Sequence, residues 1–273
     1  MPFQYSLCNE VFRLPIEQTI RHVAELGFDG IEIAPFTIAN SVDDIPSRRR
    51  EEIRRSAEDA GIEVTGLHWL LASPKGLHVT TPDRAVRQRT VRYLQSVVHF
   101  CADLGGKVLV FGSPDQRNVV PGDDHSAATS RFAQAVREVA GVCAERDVQL
   151  LLEPLNPIET NILQTVEEAR ALADRISHPQ IGYILDCKAM SGMPKGILGT
   201  IEEHGKAAGY FHANEPGGLA PGMGDLDFRP ILSALRKSGY DGWISTEPFN
   251  YEPDPHTVAR TALETLRRAA EQG

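Results

Sequence analysis

The chain has only four cysteines in 273 residues, and none of them forms a C-x-x-C pair, which excludes a disulfide framework and a zinc knuckle. Cys8, Cys101, Cys143 and Cys187 read instead as reduced thiols. Long apolar runs are also missing: no stretch of about 18 apolar residues suggests a membrane span. The opening MPFQYSLCNE lacks the basic start and apolar core of a secretory signal, so the expected location is the cytoplasm. Positive charge is scarce, with 28 Lys and Arg against 37 Asp and Glu and a net charge of -9. The densest basic group, Arg48, Arg49, Arg50, Arg54 and Arg55, is interrupted by Glu51 and Glu52, as on a solvated helix face. Such a chain gains nothing from releasing phosphate counterions, which argues against nucleic acid as a partner.

What the chain does have is alternation. Short β-like runs trade places with amphipathic helical patterns from one end to the other, which favours a parallel sheet. Strands are expected near residues 3–9, 30–34, 63–69, 107–111, 149–153, 182–186, 208–212 and 242–246. Pro15 opens a helix with Ile20, Val23, Ala24 and Leu26 at helical spacing, and Gly27 stops it. Ser47 reads as the N-cap of a second helix that Gly61 terminates. Further helices are expected near residues 82–104, 126–145, 165–176, 197–203, 228–237 and 255–270. A doubly wound open sheet would also absorb this pattern, but its first strand-to-helix turn should carry a glycine-rich phosphate fingerprint. Residues 8–15, CNEVFRLP, contain no glycine. Eight strands and eight helices are the count that closes a (β/α)8 TIM barrel, expected as a single domain over residues 1–273.

Active sites of such barrels sit where strands end, so a polar residue that terminates an apolar strand is informative. Four strands of the second half end this way: LLLEPLN at Glu153, YILDC at Asp186, YFHAN at His212 and WISTEPF at Glu247. Each residue alone has a structural reading, the glutamates as ion-pair or cap residues, Asp186 as a helix cap, His212 as a satisfied core histidine. Their joint occurrence on four successive strands favours a shared role. Three carboxylates crowded together repel unless a cation neutralises them, and three oxygen donors with one imidazole suit Mn2+, Mg2+, Co2+ or Zn2+.

With these motifs, together with HANEPGG at 212–218, GDLDF at 224–228 and STEPF at 245–249, nearly the whole chain resembles the xylose isomerase-like barrels. The resemblance is to their sugar phosphate isomerase/epimerase family, which includes ketose 3-epimerases, hydroxypyruvate isomerase and inosose dehydratase. It implies one divalent metal, most often Mn2+, held by Glu153, Asp186, His212 and Glu247, with Glu153 and Glu247 also moving protons. It further implies that Glu159 grips a substrate hydroxyl and that the chain assembles as a homo-oligomer. A metal bound through a carbonyl and the neighbouring hydroxyl acidifies the carbon between them and stabilises the enediolate; a carboxylate then removes the proton, and a second one can return it on the opposite face.

Two positions depart from the ketose 3-epimerase pattern. A histidine three residues after the aspartate is Ala189 here, and an arginine six residues after the metal histidine is Gly218. His68, Lys188 and Asn214 are the candidates to hold substrate oxygens instead, with Trp69 as a stacking surface for a sugar or as rim packing. Arg117 reads as a surface salt-bridge residue, with contact to an acidic substrate group as the alternative. His22, His78, His99, His125, His178, His204 and His256 read as structural or exposed, and Ser113 lacks the G-x-S-x-G context of a hydrolase nucleophile. The leading expectation is a metal-dependent isomerase or epimerase acting on a sugar-like substrate through an enediolate. A lyase or dehydratase acting on an oxidised sugar is the rival among enzymes. An endonuclease IV-like repair enzyme would need several metals, more histidines and a basic face; a non-catalytic barrel would be expected to have lost a ligand.

Overall fold

The computed structural model describes residues 2–272. Eight strands pair in parallel, each with the next, and β8 pairs with β1, so the sheet is a closed barrel. The strands are β1 (Tyr5–Cys8), β2 (Gly30–Ile33), β3 (Glu63–Leu67), β4 (Val108–Phe111), β5 (Gln149–Leu152), β6 (Ile181–Asp186), β7 (Tyr210–Ala213) and β8 (Ile244–Thr246). The helices around them are α1 (Ile16–Leu26), α2 (Ser47–Ala60), α3 (Arg84–Asp103), α4 (His125–Arg146), α5 (Val166–Ile176), α6 (Cys187–Met190), α7 (Gly196–His204), α8 (Phe228–Ser238) and α9 (Pro255–Gln272). This is the (β/α)8 TIM barrel the alternation predicts. No helix among the described residues is long and apolar enough to cross a membrane.

Local chemistry explains most boundaries. Gly27, Gly61 and Gly239 close α1, α2 and α8 in the left-handed conformation, where a residue without Cβ is unstrained. Asp83, Asp124, Thr165 and Asp227 accept backbone N–H bonds at the starts of α3, α4, α5 and α8. One expectation needs correction. Ser47 is the first residue of α2 rather than its cap, because Pro46 precedes it and already supplies the extended entry. The short turn α6 follows β6 directly, and the Asp186 side chain caps it by accepting from Ala189 N.

The period-2 alternation of each strand divides the barrel into two cores. Leu109, Phe111, Leu150, Leu152, Leu185 and Phe211 face the helices and join the main apolar cluster. Val108, Val110, Leu151, Ile184 and Tyr210 form a separate cluster, the packed plug of the barrel interior. Tyr210 Oη closes that plug with polar contacts, to Thr65 Oγ1 at 2.7 Å and Ser6 Oγ at 3.1 Å. Gly66 belongs to the same layer: a Cβ there would lie 2.2 Å from the Val108 carbonyl oxygen, so β3 and β4 can pair only with glycine in place.

Candidate active site

Two residues further along each strand, the interior changes character. Glu153 follows Leu151, Asp186 follows Ile184, His212 follows Tyr210, and Glu247 follows Ser245. All four are buried. One ligand atom from each lies within 4.8 Å of the other three. His212 Nδ1 is the centre of the group, 3.1 Å from Glu153 Oε1, 3.2 Å from Glu247 Oε2 and 3.9 Å from Asp186 Oδ2.

Burial and mutual repulsion load this cluster. Burial, then the charge of Glu153, pushes the Asp186 carboxyl up to about 6. Burial likewise raises Glu247 to about 7, with Glu153 and Asp186 adding to it against the opposing pull of His212. Burial lowers the pKa of His212, yet the charges of Glu247 and Glu32 outweigh it and hold the imidazole well above its ordinary value. Carboxylates that resist ionisation beside one another, with an imidazole nitrogen among them, form a donor set that a divalent cation would neutralise. The residues present fit such an ion. Among the described residues, Glu167, Glu203 and His204 also converge, but Lys195 already bridges those two carboxylates.

Glu32 is the residue that reading the strand ends overlooks. It is fully buried in the middle of β2, and the far ring nitrogen of His212, Nε2, donates to its two oxygens at 3.1 and 3.2 Å. Ser245 Oγ donates to the same carboxylate at 2.6 Å. Burial would raise its pKa, but His212 and His68 lower it to about 2. A fixed carboxylate charge beside Nε2 leaves Nδ1 directed at the carboxylate cluster, the arrangement by which outer carboxylates orient metal-binding histidines. A charged residue inside the apolar run GIEIA was the sequence signal for it.

His68 stands next to Glu32. Its Nε2 donates to Glu10 at 2.9 Å, and its Nδ1 lies 3.6 Å from Glu32. Burial disfavours the imidazolium, but Glu10 and Glu32 overcome this and raise its pKa to about 9. Asn214 is buried, and its amide faces the carboxylates rather than open space: Nδ2 donates to Asp186 Oδ2 at 2.8 Å and Glu247 Oε2 at 3.3 Å, while Oδ1 accepts from Lys188 N. Glu215 is buried too, and gathers the loop after β7 by accepting from Gly222 N, Gly224 N and Leu226 N. That explains the NEPGG and GDLDF segments as loop architecture.

Above the cluster opens a cleft lined among others by His68, Trp69, Glu153, Glu159, Lys188 and Phe249. Lys188 Nζ reaches Glu159 Oε1 at 2.8 Å and lies 4.3 Å from the centre of the Phe249 ring. Burial opposes its charge, but Glu159 and Asp186 raise its pKa. Trp69 meets Phe249 edge to face at 6.5 Å and holds a left-handed backbone, φ 51°, a strained state that clusters at ligand sites. Gly218, φ 77°, lies against Phe249: a Cβ there would approach the Phe249 Cβ to 2.9 Å. The structure corrects the expectation for Arg117, which is fully buried, far from a surface salt bridge; its Nη1 donates to the carbonyls of Phe111 and Glu153.

A probable ketose 3-epimerase from Synechocystis sp. is 26% identical over 237 residues, covering 86% of this chain and 79% of the relative. A D-psicose 3-epimerase from Agrobacterium fabrum is 27% identical over 250 residues, covering 90% and 83%. Among solved structures, a D-psicose 3-epimerase crystallised in the presence of D-fructose superposes with a TM-score of 0.86 at 22% identity, covering 99% of this chain and 100% of the other; at that identity the likeness speaks for the fold. The family described as xylose isomerase-like TIM barrel matches residues 20–269, and the chain belongs to that family.

Proposed function

We propose that this protein is a sugar epimerase or isomerase that moves a proton at a carbon next to a carbonyl group in a ketose or keto-sugar derivative. The observation that carries this reading is the pair of buried carboxylates, Glu153 and Glu247, which flank one imidazole nitrogen at 3.1 and 3.2 Å and line one cleft. The epimerase names of its relatives agree with it. Glu153, Asp186, His212 and Glu247 would hold one divalent ion, with Mn2+ the first candidate for three oxygens and one nitrogen. When bound, that ion would draw negative charge from adjacent substrate oxygens and acidify the carbon between them.

The chain's own residues do the rest. One of the two glutamates takes the proton from the carbon, leaving an enediolate; return by the other glutamate on the opposite face inverts the centre. Lys188 and Glu159, paired across the cleft wall, offer a donor and an acceptor to hydroxyl groups. Trp69 and Phe249 supply apolar faces for the C–H side of a sugar. The net charge of -9 speaks against a nucleic-acid partner, and the free, buried cysteines agree with a cytoplasmic location.

The test is to incubate metal-stripped and Mn2+-reloaded protein with a panel of free ketoses and keto-sugar derivatives in D2O and to follow the products by NMR. The expected result is Mn2+-dependent deuterium incorporation at one carbon together with a new epimer or isomer, abolished in Glu153→Gln and Glu247→Gln. A new double bond or a released fragment would make the enzyme a lyase. Absence of both Mn2+ binding and exchange across the panel would overturn the reading.

A further inference from the structure

Glu153 meets one neighbouring segment, residues 112–118, which follows β4, both at its carboxylate tip and at its backbone. At the tip, Gly112 makes room: a Cβ on it would lie 2.1 Å from Glu153 Oε2 and 3.3 Å from Glu153 Cδ, so the carboxylate occupies the space any other residue would fill. At the base, Arg117 Nη1 donates to the Glu153 carbonyl at 2.7 Å and to the Phe111 carbonyl at 3.0 Å. Phe111 O also accepts from Glu153 N at 3.3 Å, so β4 and β5 are tied together where the carboxylate begins. The segment continues to grip the loop that carries Glu159: Asn118 Nδ2 donates to Glu159 O, and Asn118 Oδ1 accepts from Thr160 Oγ1 at 2.8 Å and Asn161 N at 3.0 Å.

Two features mark this as more than ordinary packing. Arg117 is completely buried, forms no ion pair among the described residues, and keeps Nε and Nη2 without a hydrogen-bond partner there. A buried guanidinium satisfied only in part by carbonyls is an expensive way to stabilise a fold. Ser113, in the same segment, holds a left-handed backbone at φ 40° and accepts from Leu71 N through its Oγ, and such strain in a non-glycine residue gathers at functional sites.

We propose that residues 112–118 are a positioning bracket, in which the bare Gly112 and the carbonyl-bridging Arg117 together fix where the Glu153 carboxylate stands. The inference rests on the reading of Glu153 as metal ligand and proton carrier. Gly112→Ala forces the carboxylate tip to move, and a carboxylate tip can swing without disturbing the backbone. Arg117→Lys keeps the charge but replaces a planar, multi-donor group by a point donor, and Arg117→Met keeps only the bulk.

The experiment measures the affinity of each metal-stripped variant for Mn2+ alone by titration calorimetry, alongside thermal melting. Gly141→Ala serves as control, since a Cβ there meets nothing within 4 Å. Gly112→Ala is expected to melt within a few degrees of the parent while binding Mn2+ about 10-fold or more weakly, the size of loss that follows when support of a ligand is removed. Arg117→Lys should recover part of the loss seen in Arg117→Met, and a crystal structure of Gly112→Ala should show the Glu153 carboxylate displaced. Parent-like Mn2+ affinity and an unmoved carboxylate in a folded Gly112→Ala would overturn the bracket, even if both Arg117 variants fail to fold. Failure of the parent itself to bind Mn2+ would instead remove the functional reading on which the bracket rests, and the bracket with it.

Discussion

Replacing Glu32 by glutamine tests whether the far side of His212 sets up its near side. The substitution preserves size and removes one charge from a carboxylate whose oxygens lie 3.1 and 3.2 Å from Nε2 and which also accepts from Ser245 Oγ at 2.6 Å. A hydrogen bond to a charged group contributes about 1.5–3 kcal/mol and a neutral one about 0.5–1.5 kcal/mol. The difference, about 1–1.5 kcal/mol, is roughly tenfold in an equilibrium constant. It falls at the lower edge of the 10–100-fold range for outer carboxylates behind metal-bound histidines. Glu32→Gln should therefore bind Mn2+ about tenfold more weakly than the parent in titration calorimetry at pH 7.5, while near-UV circular dichroism stays native. A folded variant that binds Mn2+ within twofold of the parent would refute the claim that Glu32 orients the imidazole.

Three more outcomes are expected. Asp186 and Glu247, raised by burial and by neighbouring carboxylates to about 6 and about 7, hold protons in the metal-free fold that the unfolded chain releases at lower pH. Their contribution to stability is therefore fully present below the unfolded values and is lost as pH rises through about 6–7. Mn2+ competes for the same oxygens, so its affinity should fall at least about tenfold from pH 7.5 to 5.5, and a pH-independent titration would contradict the shared site. Lys188→Met, which removes the ammonium group held by Glu159 and Phe249, should raise KM for the sugar identified in D2O about tenfold; it should leave Mn2+ affinity unchanged, and an unaltered KM would exclude Lys188 from the substrate. Gly66→Ala, whose methyl group would meet the Val108 carbonyl at 2.2 Å, should cost about 2 kcal/mol or more in urea unfolding; a neutral effect would mean that β3 and β4 can part without penalty.

The barrel and the four strand-end residues were legible because both depend on local pattern. Each of Glu153, Asp186, His212 and Glu247 interrupts an apolar run at the point where a strand must end, and the alternation placed those ends on one rim. For Asp186, the two sequence readings turn out to use different oxygens: Oδ1 accepts from Ala189 N as a helix cap, while Oδ2 faces Asn214 and the cluster. Arg117, Glu10 and Glu32 were not legible in the same way. Arg117 lies in a polar, proline-bearing loop that looks solvated, and what buries it are the ends of two adjacent strands. Glu10 is 58 residues from His68, and Glu32 is 180 residues from His212. Barrel closure alone brings such pairs together, so no sequence spacing announces them.

The same closure explains why the polar layer perturbs its residues so strongly. Leu151 lies one interior step below Glu153, Ile184 below Asp186 and Tyr210 below His212, so the layer rests on a packed apolar floor. Water therefore reaches the carboxylates only from the cleft side, and the low polarity beneath them strengthens every charge interaction above. Glu32 and Glu10 sit on the opposite half of the barrel, where they hold His212 and His68 from behind. The first half of the chain thus supplies fixed counter-charges and the second half supplies the donors facing the cleft. A shift of one residue in any of these strands would turn its ligand outward toward the helices, so strand register is the physical quantity on which the site depends.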